Sequence, residues 1–440
     1  MKSKLSFKEY VYVASMLFGM FFGAGNLIFP VFMGQHAGSN VWSATIGFLI
    51  TGVGIPLLAV AALGMSRSNG LFEMSSKVGK PYAMFFTCLL YLTIGPFFAI
   101  PRCATTSFTV GIEYLLPEKS NTGLYLLLFS LAFFAAALFF ALRPGKILTW
   151  IGKILNPFFL VFLGILVIVA LISPSASIGS VEPVGDYASK PLFTGFLEGY
   201  NTMDALAGLA FGIVVVQVIR DLGIEEPGSV AASTVRSGIF SCLFMGIIYL
   251  AVTIVGTQSR GLFEPAENGG IALAQIARHY LGTVGMFILA ATVTIACLKT
   301  AVGLITSCAE TFSSIFKNGP GYRVWAIIFG VDSIPVLMFL YPLAIVLIIL
   351  ALFGKLFDNN RAVYVSAIAF TLVSAFYDLL NNLPKNVKGA LGLNAPLKAV
   401  AKVLPLSDIG LSWVCPAAIG LVIGLVIYLV NTKIRKKNIA

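Results

Sequence analysis

Charged residues are scarce in this chain of 440 residues: Asp, Glu, Lys and Arg together make up only 11% of it. Ordinary globular domains carry about 25% charged side chains, from which they build a polar exterior. Hydrophobic residues instead make up 58% of the chain, and the mean hydropathy is +0.94. This composition excludes a soluble enzyme, a nucleic-acid-binding protein and a fibrous protein. The lipid bilayer is therefore the expected surrounding.

Cysteine and histidine are also sparse, with six and two residues respectively. All six cysteines fall in or beside apolar segments and show no metal-ligand spacing, which favours small buried side chains over a metal centre or a disulfide framework. We therefore expect no metal and no cofactor. An integral membrane enzyme is disfavoured as well, because no cluster of titratable residues lies near a predicted membrane interface.

Long apolar runs, in contrast, are abundant. A membrane span takes about 20 apolar residues, so a chain of this length holds about twelve spans and their loops. The predicted spans are residues 11–33, 41–65, 83–113, 122–142, 147–173, 193–218, 232–256, 284–315, 323–338, 341–357, 361–380 and 413–431. They form one transmembrane domain over residues 1–431, with a first repeat at 11–173, a second at 193–357 and extra helices at 361–431. A basic cytoplasmic tail follows at 432–440.

Lys and Arg are unevenly distributed between alternate loops. If the N-terminus lies inside the cell, most of these cations fall in cytoplasmic segments, as the positive-inside rule requires. Both termini are therefore expected in the cytoplasm. The net charge of +11 is explained by these loops, without a nucleic-acid partner.

Two predicted spans are interrupted by glycine and polar residues at mid-membrane depth. The first holds three glycines, an asparagine and a proline between residues 19 and 30, and close helix packing explains only the glycines. The sixth holds a glycine, an asparagine and an aspartate between residues 199 and 204. Paired interruptions in two halves are typical of inverted-repeat secondary transporters with a site at the membrane midplane. A channel is the weaker alternative, because nothing in the sequence resembles a filter ring.

Four separated motifs resemble those of the bacterial branched-chain amino acid:cation symporters, the system II carriers. The motifs are GAGNLIFP at 23–30, GPFFAIPR at 95–102, EGYNTMD at 198–204 and ACL at 296–298, and the resemblance covers essentially the whole chain. It implies the all-α, leucine-transporter-like fold of the amino acid–polyamine–organocation superfamily. In that fold ten core helices form two inverted repeats, and two C-terminal helices follow.

The same resemblance implies a function. It implies a symporter that imports leucine, isoleucine and valine across the bacterial cytoplasmic membrane, coupled to H⁺ or Na⁺. A carrier of the same fold for another class of amino acid, or a sodium-independent exchanger, is the alternative. The sequence leaves the oligomeric state open.

Substrate-binding residues are expected at the two interruptions. Backbone N–H groups of Ala24, Gly25 and Asn26 suit a carboxylate, because a helix N-terminus presents unsatisfied donors to an anion. Carbonyls of unwound turns at 19–23 and 196–200 suit an ammonium group, and an aliphatic side chain needs an apolar pocket. The expected binding set is Gly23, Ala24, Gly25, Asn26, Phe196, Tyr200, Asn201, Thr202 and Met203. Further apolar candidates are Phe97, Phe98 and Ile100.

Two charged residues lie deep inside predicted spans. Arg102 falls in the third span and Asp204 in the sixth. An unpaired ion at this depth is costly, so such residues usually pair with one another or line a polar cavity. We expect a buried pair of Arg102 and Asp204, with Asp332 as the second candidate partner of Arg102.

A cation site is implied by the resemblance. In sodium-coupled relatives of this fold, carbonyls of the first helix and small or hydroxyl residues of the eighth frame the ion. The matching positions here are Gly19, Phe22, Ala296, Lys299 and Thr300. Lys299 departs from the pattern, since a hydroxyl is expected there. Its side chain could turn aside and snorkel, pair with Asp204, or place its ammonium where Na⁺ would bind. The last alternative predicts a proton-driven or sodium-independent carrier.

Overall fold

The structure, a computed structural model, describes residues 4–117, 122–329, 337–381, 393–407 and 412–437. These residues form helices and their connections, with no strand in the described ranges. In chain order the α-helices are α1 (Phe7–Phe21), α2 (Gly25–Ala37), α3 (Val41–Leu49), α4 (Ile55–Met65), α5 (Leu71–Ser75), α6 (Lys80–Leu92), α7 (Ala99–Thr106), α8 (Thr122–Ala141), α9 (Asn156–Ile172), α10 (Asp186–Ser189), α11 (Pro191–Asn201), α12 (Asp204–Asp221), α13 (Pro227–Ser259), α14 (Gly269–Ile315), α15 (Tyr322–Ile328), α16 (Leu337–Phe353), α17 (Arg361–Asn381), α18 (Asn394–Val403) and α19 (Val414–Lys437).

Short π-helical and 3₁₀ segments join several of these helices. The π-helical segments are Ile50–Gly54, Thr93–Phe97, Ser107–Ile112 and Leu148–Leu155. The 3₁₀ segments are Gly38–Asn40, Glu113–Leu115, Pro144–Lys146, Ile178–Ser180 and Gly354–Phe357.

Within the described ranges, 8 helical stretches are long and apolar enough to cross a membrane. Two are far longer than one crossing needs: Gly25–Met65 has 41 residues and Gly269–Ile315 has 47. The first of these joins the second half of the first predicted span to the whole second span. Each predicted apolar run coincides with helical residues. The ninth is described only over α15 and the start of α16, because residues 330–336 lie outside the described ranges.

Two predicted boundaries are wrong. The division between the predicted spans 323–338 and 341–357 is absent, since α16 runs from Leu337 through Tyr341 and Pro342, and transmembrane helices tolerate an internal proline. The connection expected between the predicted spans 232–256 and 284–315 already contains the first residues of α14. That helix bends at Gly282, whose φ of 57° lies in the left-handed region that glycine adopts at no steric cost.

Small residues bring the two interrupted spans close to their neighbours. A Cβ added at Gly34 in α2 would lie 2.1 Å from the carbonyl oxygen of Thr253 in α13. A Cβ added at Gly195 in α11 would lie 2.0 Å from the carbonyl oxygen of Ala44 in α3. Helices in a bilayer associate through such close backbone approach, because lipid offers no hydrophobic driving force. Glycine at these positions therefore fixes α2 on α13 and α11 on α3.

Candidate functional site

The first break separates α1 from α2. Phe22 leaves the helical region with φ −78° and ψ 84°, and α2 resumes at Gly25. The N–H of Gly23 donates to the side-chain Oδ1 of Asn26 and to the carbonyl of Phe21, both at 2.9 Å, so this asparagine helps to satisfy the backbone at the break. The interruption therefore includes Gly23, as the sequence predicts, but the unwound turn expected at 19–23 is wrong for residues 19–21, which remain helical in α1. Pro30 does not contribute to it, because it lies inside α2.

The second break separates α11 from α12 at Thr202 and Met203. Met203 adopts φ 64° and ψ 11°, a left-handed conformation that costs free energy in any residue with a side chain. The hydroxyl of Thr202 donates to the carbonyl of Gly199 at 2.8 Å and closes the end of α11. The unwound turn expected at 196–200 is wrong, because those residues remain helical in α11.

A buried hydrogen-bond network joins the two breaks around Asp204. Its Oδ2 accepts from the Asn26 amide at 2.6 Å and from the Tyr249 hydroxyl at 2.8 Å. The same Asn26 amide also donates to the hydroxyl of Tyr249. Asp204 is only 1% exposed and Asn26 2% exposed. These hydrogen bonds reduce the cost of burying the polar groups. They connect α2, α12 and α13 at one point.

A cavity of about 60 Å³ lies between the two breaks. Its lining combines polar groups of the breaks with side chains of α7 and α14. The lining residues are Met20, Phe21, Gly23, Ala24, Gly25, Asn26, Ile94, Ala99, Arg102, Cys103, Thr106, Asn201, Thr202, Met203, Asp204, Ala207, Cys297, Thr300 and Leu304.

Most of the predicted site residues meet at this cavity, and some do not. Of the predicted binding set, Phe196 and Tyr200 lie outside the lining and pack against each other, with ring centroids 5.2 Å apart. Of the predicted cation set, Thr300 lines the cavity, whereas Gly19, Phe22, Ala296 and Lys299 do not. The Thr300 hydroxyl donates to the carbonyl of Met20 at 3.0 Å and ties α14 to the end of α1.

The third predicted span is interrupted as well. Gly95 has non-helical φ −86° and ψ −119°, and α7 starts only at Ala99. The Gly-Pro sequence at 95–96 is the signal that sequence analysis could have used for this break. Its consequence is that Arg102, in the first turns of α7, reaches the cavity.

The guanidinium of Arg102 does not meet its predicted partner. Its central carbon lies 5.4 Å from the ring centroids of Phe29 and Phe98, a cation–π arrangement. Although both residues line the cavity, no ion pair joins Arg102 to Asp204 in the part of the chain that the structure describes. The direct pair is therefore wrong: the guanidinium lies beside Phe29 and Phe98, and the Oδ2 of Asp204 accepts from Asn26 and Tyr249 instead. Asp332, the second candidate partner, lies outside the described residues.

Lys299 is enclosed between α1, α9 and α14. It is 0% exposed, and its Nζ donates to the Oδ1 of Asn156 at 2.9 Å. The same Nζ lies 3.6 Å from the ring centroid of Phe159 and 5.5 Å from that of Phe18. Full burial does not fit a snorkelling side chain, and the bond to Asn156 does not fit a pair with Asp204. The ammonium is instead fixed beside the first helix.

Sequence reasoning missed two polar residues of this region. Tyr249 and Asn156 lie within long apolar runs, where a hydroxyl or amide needs a buried partner. A single polar residue inside an apolar run is the sequence feature that could have identified them. Their partners are far away along the chain, so the sequence could not name them.

The ends of four helices converge on the cavity. The N-termini of α2 and α12 carry partial positive charge, and the C-termini of α1 and α11 carry partial negative charge. A binding place with both signs of charge suits a small zwitterion. Broken helices around such a place, within a bundle of long apolar helices, define a secondary membrane transporter.

The chain belongs to the branched-chain amino acid transport protein family, whose model matches residues 6–431. It is 51% identical to the branched-chain amino acid permease BrnQ of Lactobacillus delbrueckii subsp. lactis, over 95% of this chain and 96% of that protein. It is 38% identical to the branched-chain amino acid transport system 2 carrier protein of Pseudomonas aeruginosa, over 93% and 94% of the two chains. The resemblance stated from the motifs is thus confirmed, and the chain is a transporter and not an enzyme.

A solved structure supports the fold class. The fold is similar to that of Mhp1, a nucleobase-cation-symport-1 family transporter, in a closed conformation with bromovinylhydantoin bound. The TM-score is 0.51 at 14% identity, and the match covers 98% of this chain and 93% of that one. The inward-facing conformation of Mhp1 gives the same TM-score at 15% identity, with 98% and 91% covered. This likeness confirms the leucine-transporter-like, all-helical fold and carries no information on the substrate.

Proposed function

We propose that this protein is a symporter that imports leucine, isoleucine and valine across the bacterial cytoplasmic membrane. The observation that carries the proposal is the buried Asn26–Asp204 bond, which joins two broken helices at a cavity with both signs of charge. The names of the relatives supply the class of substrate. Both termini lie in the cytoplasm on this proposal, as the distribution of Lys and Arg requires.

Each part of an amino acid has a counterpart in the cavity. The substrate carboxylate faces the N–H groups of Ala24, Gly25 and Asn26 at the start of α2, where donors and dipole favour an anion. The substrate ammonium faces the carbonyl end of α11 and the carboxylate of Asp204. The aliphatic side chain contacts the apolar part of the lining, which includes Met20, Phe21, Ile94, Ala99, Met203, Ala207 and Leu304.

The size of the cavity supports transport by alternating access. A volume of about 60 Å³ is far below the roughly 300–1,000 Å³ of ordinary ligand pockets. An amino acid can enter only if the surrounding helices move apart. The non-helical residues 22–24, together with Thr202 and Met203, are the places where half-helices can pivot, since hinges usually absorb motion at element ends.

Coupling is assigned to the proton gradient through Lys299. The ammonium of this residue lies beside α1, next in sequence to Thr300, whose hydroxyl binds the carbonyl end of α1. It supplies one positive charge in the region where the implied fold binds Na⁺, so no sodium ion is needed there. Lys can release and regain a proton, whereas a bound metal ion cannot. The buried position of Lys299 and its bond to Asn156 support this assignment.

The substrate class is tested by competition. The purified protein in proteoliposomes takes up labelled leucine under an imposed proton gradient, and each of the other proteinogenic amino acids is added in excess. Isoleucine and valine are expected to abolish labelled uptake, whereas aromatic and charged amino acids leave it intact. Protein-free liposomes set the background. Stronger competition by an aromatic or polar amino acid than by isoleucine contradicts the proposal.

A further inference from the structure

Two thiols meet in the wall of the cavity. Cys103 belongs to α7 and Cys297 to α14, and both line the cavity that holds the proposed substrate. They are 8% and 0% exposed and both are free thiols. Both side chains belong to the lining of this one small cavity, and the side chain of Cys103 interacts with that of Cys297.

The surroundings of this pair are positive. The backbone of Ala24, at the N-terminus of α2, lies beside the sulfur of Cys297. The guanidinium of Arg102 interacts electrostatically with both sulfurs. Thiol chemistry proceeds through the thiolate, and reactive cysteines are found beside helix N-termini and arginine side chains. Among the six cysteines, this pair combines such surroundings with a second thiol in the same cavity wall.

We infer that Cys103 and Cys297 form a dithiol modification site at which a small hydroperoxide closes a disulfide and stops transport. The sulfur of Cys297 attacks the peroxide oxygen, the O–O bond breaks, and a sulfenic acid and water form. The sulfur of Cys103 then attacks the sulfenic sulfur, and hydroxide leaves as water with the thiol proton. Two thiols are oxidised to one disulfide, and hydrogen peroxide is reduced to two water molecules.

The position of the bridge explains its effect on transport. It would tie α7 covalently to α14 in the wall of the cavity, beside Ala24 at the beginning of α2. The half-helix α7 follows the break at Gly95, so it is one of the segments that can move. A covalent link there holds the cavity walls together. This consequence rests on the proposed function, whereas formation of the disulfide does not.

The test has two separate readouts. The purified protein in proteoliposomes is treated with hydrogen peroxide, digested without reduction and analysed by mass spectrometry. The expected product is a cross-linked peptide pair containing Cys103 and Cys297, and leucine uptake falls in proportion to the bridged fraction. Dithiothreitol restores both thiols and uptake. Excess leucine during the treatment slows bridge formation, because the substrate covers the two sulfurs.

Matched variants separate this pair from the other cysteines. A chain with Cys88→Ser, Cys242→Ser, Cys308→Ser and Cys415→Ser keeps the full loss of uptake on oxidation. The Cys103→Ser variant gives no bridge, and its uptake, relative to its own untreated value, is spared. If either variant is inactive, peptide mapping of the oxidised, unaltered chain alone decides whether the Cys103–Cys297 bridge forms. Oxidation without a Cys103–Cys297 bridge overturns the inference. A complete bridge with unchanged uptake overturns its role in transport.

Discussion

The amide of Asn26 donates a 2.6 Å hydrogen bond to the carboxylate of Asp204, although 178 residues separate them in the chain. Asn26 lies in the first turn of α2 and Asp204 is the first residue of α12, so the bond connects the two broken helices directly after their breaks. Asn26 also accepts from the N–H of Gly23 inside the first break. Any movement that opens one break therefore disturbs the other.

Removing one hydroxyl tests the network. Tyr249→Phe keeps the ring, which stacks on Phe22 at 5.5 Å, but deletes the donor to Asp204. A buried acceptor that loses a partner costs about 1–3 kcal/mol, which corresponds to roughly a 5- to 150-fold loss of leucine uptake rate if the cost falls on the transport step. Tyr364→Phe makes the same change at a hydroxyl that donates to the carbonyl of Leu350 and does not line the cavity, and it is expected to keep normal uptake. Equal rates for the two variants would argue against the network.

A side chain at Gly25 is expected to abolish uptake without unfolding the protein. Its Cβ would lie 3.2 Å from the ring of Phe29, and a Leu there would fill the space in front of the α2 N-terminus. Gly164→Leu is the matched control, because an added Cβ at that position meets nothing within 4 Å. Size-exclusion chromatography checks folding and labelled leucine checks transport. Normal uptake by Gly25→Leu would contradict the placement of the substrate carboxylate at the N-terminus of α2.

Loss of Arg102 is not expected to relieve the loss of Asp204. Both residues line one cavity, but no ion pair joins them in the described structure, so the double variant Arg102→Gln/Asp204→Asn should retain no more uptake than the product of the two single effects. The double variant and both single variants are compared under one proton gradient. A double variant whose uptake rate is clearly higher than the product of the single effects would support the direct Arg102–Asp204 pair that the sequence suggests.

The sequence predicts the spans well because apolar length is a local property. It also predicts the first break, where three glycines and Asn26 lie together. The second break lies after the predicted turn, at Met203. Tertiary structure imposes the left-handed conformation of this residue, and a methionine in the sequence does not indicate such a conformation. The partners of Asp204 and Lys299 are likewise set by packing. From charge alone, Arg102 is the expected partner of Asp204. In the structure, Asp204 instead accepts hydrogen bonds from the amide of Asn26 and the hydroxyl of Tyr249, which belong to other helices.

The buried ammonium of Lys299 predicts the coupling ion. Leucine uptake by the unaltered protein should persist when choline replaces all Na⁺ and should collapse when a protonophore dissipates the proton gradient. Uptake is measured as the initial rate in proteoliposomes. Strong stimulation by millimolar Na⁺ would show that a sodium ion is bound despite the lysine.

Substitution of Lys299 should change coupling specifically. Lys299→Thr restores the hydroxyl that the implied fold carries at this position, so we expect sodium-dependent or uncoupled uptake. Lys153→Thr is the control: its ammonium lies 4.5 Å from the ring of Tyr12, outside the cavity lining, and its loss should leave proton-driven uptake intact. Unchanged proton coupling in Lys299→Thr would exclude the lysine as the coupling group.

A structure of the protein determined with bound leucine tests the placement of the substrate most directly. The account predicts the leucine carboxylate within hydrogen-bonding distance of the N–H groups of Ala24, Gly25 and Asn26. It places the ammonium group toward Asp204 and the end of α11, and the side chain against Met203 and Leu304. Leucine bound anywhere else, or in the same cavity with its carboxylate turned toward Asp204, would contradict it.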